Sequence, residues 1–287
     1  MTIGEVRATF VPDGSIRLPP VPMFDGGTAE LFAVNAHLLD GDGYLVMSLG
    51  SLLVESRGVR ILVDLSWGPS TLDIASATAG TRRGRIVGGG LLDNLARLGV
   101  MPEDIDIVVF SHLHADHVGW LTTETPDGPV VTFRRAEHRL AEDEWTYWHG
   151  RAKDGTWGGP TPRQLDVLGP HMTTVQDGEL LAPGVNVMLT PGHTPGHASL
   201  VISSDTQRAL VLGDTVHCPL EISNPELALL SDVDPITARA TRERIYRELD
   251  DGTVAVGGHF PELVFGRVVH GAAGRRLEYL SSARHAA

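Results

Sequence analysis

The sequence predicts an α/β fold in which two mixed β-sheets form a sandwich flanked by helices. Its β-rich runs fall in an early and a late block, with segments of helical apolar spacing among them, an order that suits layered sheets and helices. No short-period repeat interrupts it, and no linker is long enough to separate a pair of domains. The 287 residues are therefore expected in one domain, 1–287, with an aromatic insert at about 136–171. Four apolar strand runs end directly on a histidine or an aspartate. Chemistry is thus expected at one edge of a sheet, where α/β folds place their sites.

Val6–Pro12 and Ser15–Leu18 read as two short extended runs joined by a hairpin turn at Pro12-Asp13-Gly14, and prolines 19, 20 and 22 stop them. Tyr44–Ser48, Ser51–Glu55 and Val59–Leu65 are β-rich, with Arg57-Gly58 a tight turn before the last, so a meander is expected. Leu91, Leu92, Leu95 and Leu98 have helical spacing, and Gly99 is the C-terminal stop. Ile105–Phe110 is apolar except for Asp106, the pattern of a strand buried on both faces. Residues 136–171 hold Trp145, Trp148 and Trp157 and a Gly/Pro-rich piece at 155–162, which reads as a helix followed by an irregular lobe. Strand signals return at Val185–Leu189, Leu200–Ser203 and Ala209–Leu212. An amphipathic helix follows at Pro235–Leu249, and strands at Val254–Val256 and Leu263–Val269 close the chain.

Composition narrows the chemistry. A single cysteine excludes an intrachain disulfide framework and a thiolate zinc cluster, so a metal site must be built from imidazole and carboxylate. Such ligands suit zinc, iron or manganese better than copper(I), and thirteen histidines are available. The net charge of −13 disfavours nucleic acid and anionic membranes as partners, since both attract a basic face. No apolar run approaches a membrane span, and Met1–Phe10 lacks the apolar stretch of a signal peptide. A cytoplasmic setting is expected.

Ser111-His112-Leu113-His114-Ala115-Asp116-His117 follows the buried strand directly. In an extended loop His112 and His114 point to the same side, while Asp116 and His117 fall where the chain turns, so four ligand-type side chains can face two adjacent ions. The same grammar recurs at Pro191-Gly192-His193, at Asp214 after Gly213, and at His259 after Gly257-Gly258. Glycines 192, 213, 257 and 258 let the backbone turn tightly there.

On these residues the sequence resembles the metallo-β-lactamase superfamily. His112, His114, Asp116 and His117 match its His-x-His-x-Asp-His motif in full, and His193, Asp214 and His259 match its later ligands. The resemblance implies an αββα sandwich holding two Zn2+ per chain, with Fe, Mn or Co as other divalent candidates. It assigns His112, His114 and His193 to the first ion, Asp116, His117 and His259 to the second, and Asp214 to both. Asp64 resembles the aspartate that orients a ligand histidine, although the family's following Thr-Gly is Leu65-Ser66 here. Two divalent ions, two aspartates and a bridging hydroxide leave a core of roughly +1 that lowers the pKa of water towards about 7, so hydrolysis is the natural reaction.

True β-lactamases of the superfamily lack the bridging aspartate, so Asp214 points to the branch of glyoxalase II, acyl-homoserine lactonases and methyl parathion hydrolase. The expected activity is hydrolysis of a cyclic or activated ester, above all a lactone of the acyl-homoserine type. Organophosphate triesterase, glyoxalase II-like thioesterase and iron-dependent dioxygenase activities are the alternatives. Where many lactonases have a tyrosine three residues after the bridging aspartate, this chain has His217, expected with Asp116 to act on the substrate. The substrate is expected to be small and neutral or apolar, and the resemblance leaves a homodimer open.

Other conspicuous residues receive plainer readings. His197 reads as a hydrogen bonder behind the ligands and Cys218 as a small buried hydrophobe. Trp145, Trp148 and Trp157, with Phe24 and Phe260, are candidates for an apolar substrate wall, and His138, His149 and His171 read as surface. Arg82-Arg83-Gly84-Arg85 reads as a solvated loop.

Overall fold

The computed structural model describes residues 1–77, 83–151, 158–249, 252–261, 264–271 and 274–280. The early block supplies β1 (Val6–Leu18), β2 (Leu45–Ser56), β3 (Val59–Val63), β4 (Thr71–Asp73), β5 (Arg85–Val87), α1 (Leu91–Arg97) and β6 (Ile107–Val109). It continues with β7 (Glu137–Ala141), α2 (Glu142–Arg151), α3 (Pro162–Leu168) and β8 (Met172–Val175). The late block supplies β9 (Leu180–Ala182), β10 (Val185–Leu189), β11 (Ala198–Ser204), β12 (Gln207–Val211), α4 (Pro219–Ser223), α5 (Pro235–Glu248), β13 (Thr253–Val256), β14 (Phe265–Gly271) and β15 (Gly274–Tyr279).

The first sheet runs β8-β7-β6-β3-β2-β1-β5-β4, with Thr2–Ile3 added on β1, and the second runs β9-β10-β11-β12-β13-β14-β15. Both are mixed: β3, β6, β7 and β8 are parallel neighbours, as are β12 and β13, and the other ladders are antiparallel. Alternation along the strands sets the layers. Ile61, Val63, Ile107 and Val109 join Val185, Val187, Ala209, Val211, Val254 and Val256 in one core between the sheets. Leu62 and Val108, pointing the other way, pack on Leu91 and Leu95 of α1, Trp148 of α2 and Leu165 of α3. Leu210 and Ala255 pack on Ile222 of α4 and Ile245 of α5. The layering is therefore αββα, as expected, and the strand at 107–109 is buried on both faces.

The Arg57-Gly58 turn and the Gly99 stop are found where the sequence places them, each with positive φ at its glycine. The early hairpin is not. Pro12-Asp13-Gly14 is a bulge inside the single strand β1, and residues 45–56 are likewise one strand rather than two. Asp13 explains the bulge. Its buried carboxylate accepts from the backbone N–H groups of Gly68 (3.1 Å), Gly89 (3.0 Å) and Leu91 (2.9 Å) and from Trp120 Nε1 (2.8 Å), tying three loops to β1. The segment expected as an aromatic insert starts with an internal strand of the first sheet, β7, between β6 and β8. Trp148 is in the core there, and Trp157 and Arg82 lie outside the described residues.

Phe24 and Phe260, expected on a substrate wall, are core residues. His138, read as surface, is fully buried and stacked on Phe110. Burial, then nearby His171, lowers its pKa to about 4, so it is held neutral. No helix among the described residues is long and apolar enough to cross a membrane.

Two outcomes follow from these groups. Asp13→Ala leaves four donors without their acceptor and should cost about 3 kcal/mol or more, read as a lower urea midpoint. His138 has a folded pKa below the ordinary 6.5, so stability should fall as pH drops from 6.5 towards about 4. In His138→Leu that share of the acid sensitivity should vanish from a pH series of urea midpoints.

Candidate metal centre

The loops that leave β3, β6, β10, β12 and β13 all depart from the same edge of the sandwich, and each carries a portion of the predicted set. The first sheet contributes Asp64 and the run 111–117, and the second contributes His193, Asp214 and His259. Two glycines make the late loops possible. Gly213 has φ +53°, and a Cβ there would lie 2.6 Å from His197 Nε2. At Gly192, with φ +133°, a Cβ would fall 2.2 Å from the backbone of Ala238 on α5. Asp64 itself adopts φ +60°, a strained conformation for a residue with a side chain.

The seven predicted ligands are brought together in two groups. His112, His114, His193 and Asp214 offer ligand atoms that all lie within 4.8 Å of one another, and so do Asp116, His117 and His259. Asp214 stands between them. Its Oδ2 is 3.7 Å from His112 Nε2 and 3.5 Å from His193 Nε2, while its Oδ1 is 3.4 Å from His117 Nε2 and 3.3 Å from His259 Nε2. Asp116 Oδ2 lies 3.5 Å from His259 Nε2 and 4.0 Å from His117 Nε2. Only His114 and Asp116 are half-exposed, so the centre opens on their side.

The partners behind the rings decide which nitrogens face inward. His117 Nδ1 meets Asp64 Oδ2 at 2.9 Å, His193 Nδ1 meets Asp232 Oδ1 at 3.0 Å, and His259 Nδ1 meets the carbonyl of Ser48 at 2.9 Å. Each of these oxygens takes the Nδ1 proton and turns Nε2 inward. His117 Nε2 and His259 Nε2 are then 3.3 Å apart, and His193 Nε2 is 3.0 Å from His114 Nδ1, which is also 2.8 Å from His112 Nε2. Nitrogens so close need a proton or a cation between them. Asp214 Oδ1, buried without a well-directed hydrogen bond, adds to the same demand. The donors therefore fit a pair of divalent cations.

Titration separates the two groups in the cation-free protein. Burial, reinforced by neighbouring histidines, lowers the pKa values of His112 and His193 and brings His114 to about 3, keeping all three in the neutral form that ligates. His117 and His259 run the other way: against burial, Asp214 raises the pKa of both, so a cation entering their side displaces protons. Burial also opposes charge on His217, yet Asp214 and then Glu221 carry it up to about 10. His217 Nε2 is 3.2 Å from Asp214 Oδ2 and its Nδ1 3.7 Å from Glu221 Oε2. The carboxylate of Asp214 is held well below its usual range by His259 and His117 against the effect of burial.

Residues 51–259 match the family described as the metallo-beta-lactamase superfamily. The chain belongs to this superfamily. It is a metal-dependent hydrolase, as its sequence resemblance implied. Among curated relatives, N-acyl homoserine lactonase AttM of Rhizobium radiobacter is 31% identical over 188 residues, covering 60% of this chain and 65% of that protein. An N-acyl homoserine lactonase of a Bacillus species is 27% identical over 194 residues, covering 63% and 68%. Matches thus span about two thirds of these relatives' length. In structure the chain resembles AidC, a dizinc quorum-quenching lactonase in complex with a product, with a TM-score of 0.80, 24% identity and coverage of 99% and 97%. It also resembles the hydrolase AbOPH, with a TM-score of 0.76, 23% identity and coverage of 98% and 97%. At these identities the likeness supports the metallo-β-lactamase fold.

Sequence reasoning finds Asp64 and His197. The latter accepts from the backbone N–H of Asp214 at 2.9 Å and meets Thr190 Oγ1 at 2.8 Å. Cys218 is buried, as expected. Asp232 and Glu144 escape it. Glu144 is a buried carboxylate on α2 that accepts from Leu113 N (2.9 Å), Gly196 N (3.2 Å) and Trp148 Nε1 (2.6 Å), so it joins the loops of both sheets. Neither residue has a recognisable spacing to the ligands it serves, and only the fold brings them there.

Asp64→Asn keeps the size of the side chain and removes its charge. Chelator competition should show one bound cation released about 10- to 100-fold more readily.

Proposed function

We propose that this chain is a dinuclear zinc hydrolase of a cyclic or activated ester, and specifically of a lactone of the acyl-homoserine type. The observation that carries the reading is Asp214, whose two oxygens face two separate sets of imidazole nitrogens. His112, His114 and His193 would hold one ion and Asp116, His117 and His259 the other, with Asp214 shared between them. Bound there, two zinc ions supply Lewis acidity and lower the pKa of water towards about 7. The lactone class is supported by the curated relatives, which are N-acyl homoserine lactonases.

The protein's own groups then divide the work. Asp116, half-exposed at the open side, would take up a proton as the ester is attacked. His217 offers an imidazole N–H beside Asp214, where a tyrosine hydroxyl stands in many lactonases, and would donate to the substrate carbonyl or to the leaving oxygen. Glu221, 3.7 Å from His217 Nδ1, is placed to orient it. A neutral, apolar ester also suits a chain of net charge −13 better than an anionic one does.

The test is a metal-quantified panel of acyl-homoserine lactones, aryl esters, thioesters and phosphotriesters. Two zinc ions per chain and fastest turnover on lactones are expected, and His114→Ala should lower turnover more than the roughly 100-fold that a supporting residue costs. Fewer than one metal per chain, or no lactone hydrolysis by the loaded protein, would overturn the reading. For His217→Phe a fall in kcat with zinc content unchanged is expected, and an unchanged kcat would remove His217 from the mechanism.

A further inference from the structure

We propose that Asp232 and Arg242 form a positioning pair for His193 which also makes the two halves of the centre electrostatically unequal. The inference rests on the two-cation reading above. Asp232, in the loop before α5, is buried; its Oδ1 meets His193 Nδ1 at 3.0 Å and its Oδ2 accepts from Arg242 Nη1 at 2.9 Å. Arg242, on α5, is buried too, so this ion pair is closed to water.

The same stretch of chain also grips the His193 loop by its backbone. Val233 N donates to the carbonyl of His193 and Asp234 N to that of Gly192, each at 3.0 Å, and Thr241 Oγ1 donates to the carbonyl of Pro191 at 2.6 Å. Ring and backbone of His193 are thus fixed by one element that contributes no ligand of its own. The direction of the His193 Nε2 lone pair depends on it.

A charge count separates the two halves. Of the charged groups bonded to the rings of His112, His114 and His193, Asp232 is neutralised by Arg242 and Asp214 is shared with the other half, while Glu144 stands further back, on the backbone of Leu113 and Gly196. Around His117 and His259 stand Asp116 and Asp64. Asp64 is bonded to Ser111 N and Ser111 Oγ, both at 2.7 Å, and to His117, and no Lys or Arg pairs with it among the described residues. At the ligand rings the second half therefore holds two more negative charges than the first, offset in part by Glu144 behind the first, and attracts a divalent cation more strongly through Coulomb's law, whereas the first relies more on the aim of three imidazoles. Cations should enter in two steps, and Asp232 should govern only the weaker one.

The experiment is a titration of the cation-free full chain with Co2+, followed by visible absorption and by calorimetry, with circular dichroism to verify folding. Wild type should take up two equivalents in two resolved steps. Asp232→Asn should weaken the second step about 10- to 100-fold and leave the first unchanged. Arg242→Gln, which frees the charge of Asp232, should tighten that second step, a change that a merely structural role for the arginine would not produce. Asp232→Glu, which keeps the carboxylate, should retain two steps and serves if the asparagine variant does not fold. Folded Asp232→Asn protein with both steps unchanged or both equally weakened overturns the proposal, as does Arg242→Gln with an unaltered or weaker second step. Wild-type protein that binds one equivalent or none refutes the two-cation reading itself.

Discussion

Asp214 is a buried carboxylate with histidine nitrogens 3.2 to 3.7 Å from its oxygens, His193, His112 and His217 on one side and His117 and His259 on the other. An isolated carboxylate in such a place would be strongly disfavoured, because taking a charge out of water costs several kcal/mol, on the order of what holds a domain together. It persists because the surroundings are organised to receive it. His197 Nε2 anchors its backbone N–H, Gly213 allows the left-handed turn before it, and strands of both sheets end at the same edge, so that imidazoles approach each oxygen.

Around that carboxylate the order of supports is consistent. Ligand rings are aimed by oxygens that differ in kind: a strained aspartate for His117, an arginine-paired aspartate for His193, a backbone carbonyl for His259. Buried Glu144 then binds the loop of His112 and His114 to that of His193 through Leu113 and Gly196. Trp148, Phe24 and Phe260, which the sequence places on a substrate wall, are used instead as core, with Trp148 giving Glu144 its third donor. The structural role of α2 is therefore to secure the centre from behind.

How much of this the sequence discloses depends on how local the cause is. The run 111–117 and the motifs at 193, 214 and 259 are legible because each ligand follows an apolar strand, and strand and ligand are neighbours in the chain. The sandwich is legible for the same reason, from Ile107–Val109 buried on both faces and from the amphipathic α5. Asp13 misleads because Pro-Asp-Gly is turn chemistry, and only three distant loops converging on its carboxylate turn it into a bulge within a strand. His138 misleads because a histidine without metal spacing is usually exposed, and its burial follows from strand β7 lying inside the sheet. Asp232 and Glu144 act over 39 and 31 residues of chain on the groups they hold, beyond the reach of any local pattern.

The division of the ligands between the sheets bears on how the molecule comes together. His112 to His117 belong to the early half of the chain, and His193, Asp214 and His259 to the late half, so neither half can complete the centre before the sheets meet face to face. The centre is consequently formed from contacts of high sequence separation, whose loop-closure entropy is met only when the sheets dock. A cation captured there joins the two sheets at their rim much as a crosslink would, and favours the docked state over any form in which they separate.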